Sequence, residues 1–249
     1  MVAHLMKETF IALLGKPHGI VAFQLLDATQ FTIYLSLLAF VGGGTVALLI
    51  TFARVWPLRA LQLGATAYIW TFQSVPLLML LFILGLGVPR LLSIDVDPWY
   101  AAGTALTLFT SAYLAEVWRG AIQSIPKGQW EGAKALGFTF TPTLWLVILP
   151  QAVRAALAPT VGFLVQIIKG TSLAFIIGFT DLMSIGKRWA NAPVDGTEPY
   201  IIYPMMACIY FALCFPLSRL AIYLERRSMS HGTHDDTIPT KEKTRLINV

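Results

Sequence analysis

The sequence predicts an all-α integral membrane protein with about five transmembrane helices, and three observations carry that prediction. Of its 249 residues, 56% are hydrophobic and only 12% are charged, where a soluble domain carries roughly a quarter charged residues. The mean hydropathy is positive. The charges are also spaced so that long uncharged gaps lie between them, and about 20 mainly apolar residues suffice to cross ~30 Å of hydrocarbon as a helix. A single water-soluble core of this size has no room for so many apolar runs, so the natural solvent is a bilayer.

The gaps place the spans in order. Asp27 to Arg54 holds no internal charge and gives a span near Phe31–Ala53; Arg59 to Arg90 gives Ala65–Leu86; Asp97 to Glu116 gives Trp99–Val117. Arg154 to Asp181, interrupted only by Lys169, gives Val153–Ile177, and Glu198 to Arg219 gives Tyr200–Leu224. Residues 1–30 are expected as an external N-terminal segment without a removable signal peptide, because no compact apolar run there precedes a small-residue cleavage site. Residues 31–227 form the transmembrane domain, with a loop at 119–150. The polar residues 228–249 are expected as a disordered cytoplasmic tail.

Five spans put the termini on opposite sides, and the excess of Lys and Arg near span ends decides which is inside. With the C-terminus in the cytoplasm, the inner side collects Arg54, Arg59, Arg119, Lys127, Lys134, Arg154, Arg226, Arg227, Lys241, Lys243 and Arg245. The outer side receives Lys7, Lys16, Arg90, Lys187 and Arg188. Eleven against five favours an N-out, C-in chain. The pI near 9.3 is thus a topology signal and no sign of nucleic-acid binding, since the basic residues form no stripe.

Other classes fail on their chemistry. Cys208 and Cys214 sit in the last apolar span and read as small buried hydrophobes. His4, His18, His231 and His234 have no partnered ligand spacing, so no metal site and no cofactor is expected. No Gly-x-x-x-x-Gly-Lys-Ser/Thr loop occurs; Lys169-Gly170-Thr171-Ser172 has the wrong order. The chain is therefore not expected to hydrolyse ATP itself. An intramembrane enzyme would need paired carboxylates, or a nucleophile with a base, at membrane depth, and none is present.

Arg119 to Pro150 is punctuated by Pro126, Gly128, Gly137 and Pro142, and between them Gln129–Leu136 reads as a short helix. Trp130, Ala133 and Leu136 fall on one apolar stripe, with Glu131 and Lys134 polar. Such a helix either docks in a partner's groove or lies in the lipid headgroups.

The run Glu116-Val117-Trp118-Arg119-Gly120-Ala121-Ile122-Gln123-Ser124-Ile125-Pro126-Lys127-Gly128-Gln129-Trp130-Glu131-Gly132-Ala133-Lys134-Ala135-Leu136-Gly137, followed by Val147-Ile148-Leu149-Pro150-Gln151-Ala152, resembles the coupling-loop signature of ABC importer permeases for polar amino acids. That signature reads Glu-Ala-Ala, three residues, Gly, nine residues, Ile-x-Leu-Pro. Tyr34-Leu35-Ser36-Leu37-Leu38, Tyr68 with Pro76-Leu77-Leu78, Lys169-Gly170-Thr171-Ser172-Leu173 and Leu224-Glu225-Arg226-Arg227 extend the likeness from about Thr32 to Arg227.

The resemblance implies a multi-pass subunit of a bacterial cytoplasmic (inner) membrane. It pairs with a second permease subunit, two cytoplasmic ATP-binding subunits and an external solute-binding protein to import an amino acid. It places Glu131, Ala133 and Gly137 on a cytoplasmic coupling helix between spans 3 and 4. Gly137 would permit a turn that a side chain hinders, and Pro150 would restart the helix into the fourth span. Glu116 and Arg119, three apart, read as a local pair, with Arg119 also within reach of an ATPase.

Departures from the pattern carry their own meaning. Gly132 replaces a motif alanine, Val147 an isoleucine, Gln73 the arginine of many relatives, and Gly170 an acid beside Lys169. The missing charges leave two partners open, a second copy of this chain or an unlike subunit that supplies them.

Lys169 lies 15 residues after Arg154, hence ~22 Å along a helix and within the hydrocarbon slab. It faces an aqueous path, or else the helix breaks at Gly170 and Lys169 pairs with free carbonyls or Asp181. Gln166, Thr171 and Ser172, with Gln73 and Ser74 in the second span, either line the same path or join helices. Gly42, Gly43 and Gly44 with Ala47 allow close helix approach. The competing class is a secondary transporter or channel without an ATPase; its mark, inverted internal symmetry, is not visible here.

Overall fold

The computed structural model describes residues 2–229 as nine helical segments, with no strand among the described residues. They are α1 Val2–Leu14, α2 His18–Val55, α3 Arg59–Ser74, α4 Leu77–Leu92, α5 Pro98–Gln123, α6 Lys127–Ala135, α7 Phe140–Ile177, α8 Leu182–Ala190 and α9 Pro199–Met229. Beyond Met229 the tail expected at 228–249 lies outside the described residues, with His231 and His234.

Three helices are long and apolar enough to cross a membrane alone: His18–Val55, Phe140–Ile177 and Pro199–Arg227. The segment expected as the second span is a bent pair, Arg59–Ser74 and Leu77–Leu92, turned by 95° at the break. Pro76 causes it, because proline offers no N–H and its ring drives the preceding residue out of the helical region. Val75 is accordingly extended at φ −93° and ψ 124°.

The third expected span, α5, has 26 residues, ~39 Å at 1.5 Å per residue, but it is less apolar than the others. The reason is its position at the centre of the bundle. Ala101, Ala102, Ala105, Leu106, Ala112, Leu114 and Ala115 are all buried, together with Thr110 and Ser111. A helix surrounded by protein needs small residues more than lipophilic ones. Its closest neighbour is α2, and a Cβ on Gly43 would stand 2.6 Å from Thr110 Cβ. The glycine run thus serves contact inside the subunit.

Helix α2 has 38 residues, ~57 Å, so it outruns the bilayer. Its first turns reach into the segment expected to precede the spans, and Val21 and Leu25 join Leu182, Ala190, Ile202 and Met206 in one buried cluster. At the opposite end of the bundle Ile122, Leu144, Ile148 and Ala152 form another, against Val55, Trp130 and Phe140.

The helix of the fourth span starts earlier than expected. It begins at Phe140, passes through a π-helical stretch at Thr143–Ile148, and Pro150 falls where regular α-helix resumes at Leu149. Pro150 thus stands in the first turn of the regular α-helix, as expected, but that helix continues from a π-helical stretch and not from a loop. Its missing N–H is tolerated because the wider π turn has already broken the regular ladder. Nor does the helix break at Gly170: it runs on as a 3-10 turn at Ser172–Ile177 and ends at Gly178, φ +89°.

Candidate functional site

The loop helix forms at Lys127–Ala135, slightly ahead of the expected Gln129–Leu136. Pro126 precedes it with an extended backbone at φ −52° and ψ 140°, its ring fixing φ. Gly137 at φ +82° closes it. The Phe138 amide donates to Ala133 O at 3.0 Å and the Gly137 amide to Lys134 O at 2.9 Å, the double bond of a glycine C-cap. A side chain at a positive φ would strain that turn.

The expected apolar stripe divides. Ala133 is buried and Trp130 is half-buried, its ring stacked 6.3 Å from Phe140, which in turn meets Trp56 edge-on at 5.8 Å. Gln151 Nε2 donates to Val147 O at 2.7 Å and to Gln129 Oε1 at 3.3 Å, tying the helix to the start of α7. Leu136, by contrast, is 78% exposed, and Glu131, Lys134 and Phe138 face outward with it. One edge holds the helix to the bundle, and the other presents an apolar tip flanked by charges. The sequence periodicity could not separate the two edges, because the bracing partners Phe140 and Trp56 lie in other segments.

Arg119 forms the local pair expected of it. Its Nε donates to Glu116 Oε2 at 2.8 Å, a second guanidinium nitrogen donates to Glu116 Oε1, and Nη1 donates to Gln123 Oε1. These bonds tie Arg119 to Glu116 and Gln123 on its own helix. Trp118 Nε1 donates to Thr160 Oγ1 at 2.9 Å and locks α5 against α7.

Gln166 and Lys169 are exposed and, with the half-buried Ser172, follow one another at helical spacing on α7. No ion pair joins Lys169 to Asp181, since Asp181 is fully buried and caps α8 by accepting from the Ser184 amide at 2.9 Å. Thr171 is buried and its hydroxyl donates to Ile168 O at 2.8 Å, while Ser172 Oγ donates to Lys169 O at 2.6 Å. A Cβ at Gly170 would stand 3.1 Å from Leu77 Cδ2, so a larger residue there would crowd the turn after Pro76. Gln73 Nε2 donates to Ala112 O at 3.3 Å, and Ser74 is exposed at the α3 break. Both groups of polar residues stand on helices that pack against α5. Tyr68, bonded to Ser111 at 2.7 Å, is a further polar tie between α3 and α5.

Residues 43–230 match the family described as binding-protein-dependent transport system inner membrane component. The chain is 36% identical over 197 residues to the L-cystine transport system permease protein TcyB of Bacillus subtilis, covering 79% of this chain and 83% of that one. It is 31% identical over 202 residues to the probable glutamine ABC transporter permease protein GlnM of Bacillus subtilis, covering 81% and 92%. Among solved structures, an amino acid ABC transporter with histidines superposes with a TM-score of 0.76 at 28% identity, over 82% of this chain and 93% of that one. The inward-facing MetNI methionine ABC transporter shares the fold, with a TM-score of 0.60 at 20% identity, over 80% and 94%. The chain therefore belongs to the family of binding-protein-dependent transport system inner membrane components, and it is a multi-pass membrane protein.

Proposed function

We propose that this chain is the membrane-spanning permease subunit of an ATP-driven amino acid importer, and that α6 is its coupling helix. The observation that carries the reading is the division of α6. Trp130 and Ala133 fix it to α5 and α7, while Glu131 and the exposed Leu136 remain available to a groove in a cytoplasmic ATP-binding subunit. A short helix braced in this way moves as a rigid body, so closure of two ATPases would tilt the spans attached to it. Family membership favours this reading over a carrier or channel that works alone.

The same reading includes five spans, N-out and C-in, counting α5 and the bent pair. It includes a second permease subunit, an external solute-binding protein, and ATP hydrolysis on the partner chain. Lys169, Gln166 and Ser172 on α7, with Gln73 and Ser74 at the α3 break, are the residues proposed to line the path, and Thr171 braces the turn beneath them.

The test is co-purification from detergent of the wild type and of Glu131→Lys with Gly137→Trp. The wild type is expected to bring down a nucleotide-binding subunit and a second permease, and the double variant to lose the ATPase while remaining folded. An ATPase retained equally by both would overturn the assignment of α6. The identity of the permease brought down decides between a like and an unlike pair.

A further inference from the structure

We infer that the junction of α2, α5, α6 and α7 binds an anionic phospholipid, with its acyl chain in an apolar slot and its phosphate between Arg54 and Lys127. Two neighbouring cavities build this site. The first, about 230 Å³, is walled by Leu48, Phe52, Ile122, Leu149, Val153 and Leu157. Its few polar side chains are already engaged: Thr51 Oγ1 donates to Ala47 O at 2.8 Å, and Trp118 Nε1 to Thr160 Oγ1 at 2.9 Å. With nothing to hold water, the slot suits a hydrocarbon chain.

The second cavity, about 480 Å³, shares Ile122 with the first and is lined by Arg54, Gln62, Gln123, Lys127, Trp130 and Phe140. Its charge is unbalanced. Arg54 and Lys127 line it and no carboxylate does; the carboxylate of Glu116, which the charge of Arg54 reaches, already accepts from Arg119 through both oxygens. The Nε of Arg54 is buried without a hydrogen-bond partner, and an unpaired buried donor on a cation is costly unless an acceptor arrives. A phosphate diester supplies that acceptor, and guanidinium matches its geometry.

Ile122 walls both cavities, so slot and cations lie within the reach of one lipid. Trp56, Trp130 and Phe140 stand at the same level, where aromatic side chains mark a membrane interface. A free anion would need only the second cavity, whereas the adjoining slot selects a lipid. The leaflet is the one on the α6 side, which is cytoplasmic on the topology proposed above. Lipid retention is read on the isolated permease, so its failure is distinct from failure of ATPase docking.

The test is native mass spectrometry of the delipidated full-length chain. It is titrated with dioleoyl phosphatidylglycerol, with dioleoyl phosphatidylcholine, and with inorganic phosphate as competitor. The wild type is expected to retain the glycerol lipid about tenfold better than the choline lipid, and phosphate is not expected to displace it. Arg54→Gln with Lys127→Gln is expected to abolish that preference at an unchanged melting temperature, and Arg54→Lys to keep part of it. Ala156→Phe, which fills the slot, is expected to weaken both lipids; if it does not fold, the charge variants decide alone. No headgroup preference in the wild type, an unchanged preference in the double variant, displacement by phosphate, or a lipid-free dimer that seals the slot would each overturn the proposal.

Discussion

The carboxyl group of Asp181, between the last two apolar helices, accepts the Ser184 amide through one oxygen, while the other is buried without a partner. Burial pushes its pKa up from 3.8 to about 7 against the pull of the amides that bond it. The native chain then holds a proton that the unfolded chain releases between about pH 4 and about pH 7. Stability from this group is full below that window, falls as pH rises through it, and is level above. Asp181→Asn keeps an acceptor for the amide and removes the charge. It is expected to flatten the pH dependence of thermal unfolding in detergent between pH 5 and pH 8, and to raise the midpoint at pH 8. A midpoint unchanged at pH 8 would show that the buried charge costs nothing. Gly43 makes a simpler case. Gly43→Leu, with Thr110 only 2.6 Å from the new Cβ, is expected to lower stability by about 3 kcal/mol or to prevent folding, as read by the melting temperature and monodispersity of the solubilised protein. Lys169 is exposed and unpaired with Asp181, on the face of α7 proposed to line the path. Lys169→Met is expected to reduce amino acid uptake in proteoliposomes while an ATPase still copurifies, because the change spares α6.

Helix α6 depends on its bracing as much as on its exposed edge. Trp130→Ala removes the ring stacked on Phe140 and is expected to lower uptake per ATP hydrolysed severalfold, with nucleotide hydrolysis itself retained. Equal ratios of uptake to hydrolysis in variant and wild type would mean that rigidity at this joint is unimportant. The existence of α6 and its stop at Gly137 were legible in the sequence, because proline and glycine punctuate a run of helical period. So were the apolar helices, since composition alone dictates them. The bend at Pro76 was not, because a charge gap records apolarity and carries no direction. The early start of α7 was also hidden: Phe140 to Pro150 looks like loop by its prolines and threonines, and only the packing of Leu144 and Ile148 beneath Trp130 makes it helical. Of the polar residues, Thr171 pointed two ways from sequence, and its burial and bond to Ile168 O mark it as a structural brace. Asp181 read from sequence only as a candidate partner of Lys169, since its burial and its cap of α8 depend on the surrounding fold.

Across the whole molecule, α2, α3, α5, α6 and α7 bring Arg54, Gln62, Gln123, Lys127 and Phe140 together at one end. The other end gathers Val21, Leu182, Ala190 and Ile202. The up-and-down topology proposed above accounts for this segregation, and the basic end is the one expected in the cytoplasm. On the coupling role proposed for α6, motion delivered to it enters at the end where α2, α3, α5 and α7 meet. The most direct measurement places a photo-crosslinking amino acid at Leu136, 78% exposed beside α6, and separately at Leu91, 83% exposed at the end of α4. Each variant is irradiated in membranes with and without nucleotide. Position 136 is expected to crosslink to an ATP-binding subunit with a yield that changes on nucleotide addition, and position 91 to give no such product. No ATPase adduct at 136, or equal adducts at both positions, would contradict the coupling role of this helix.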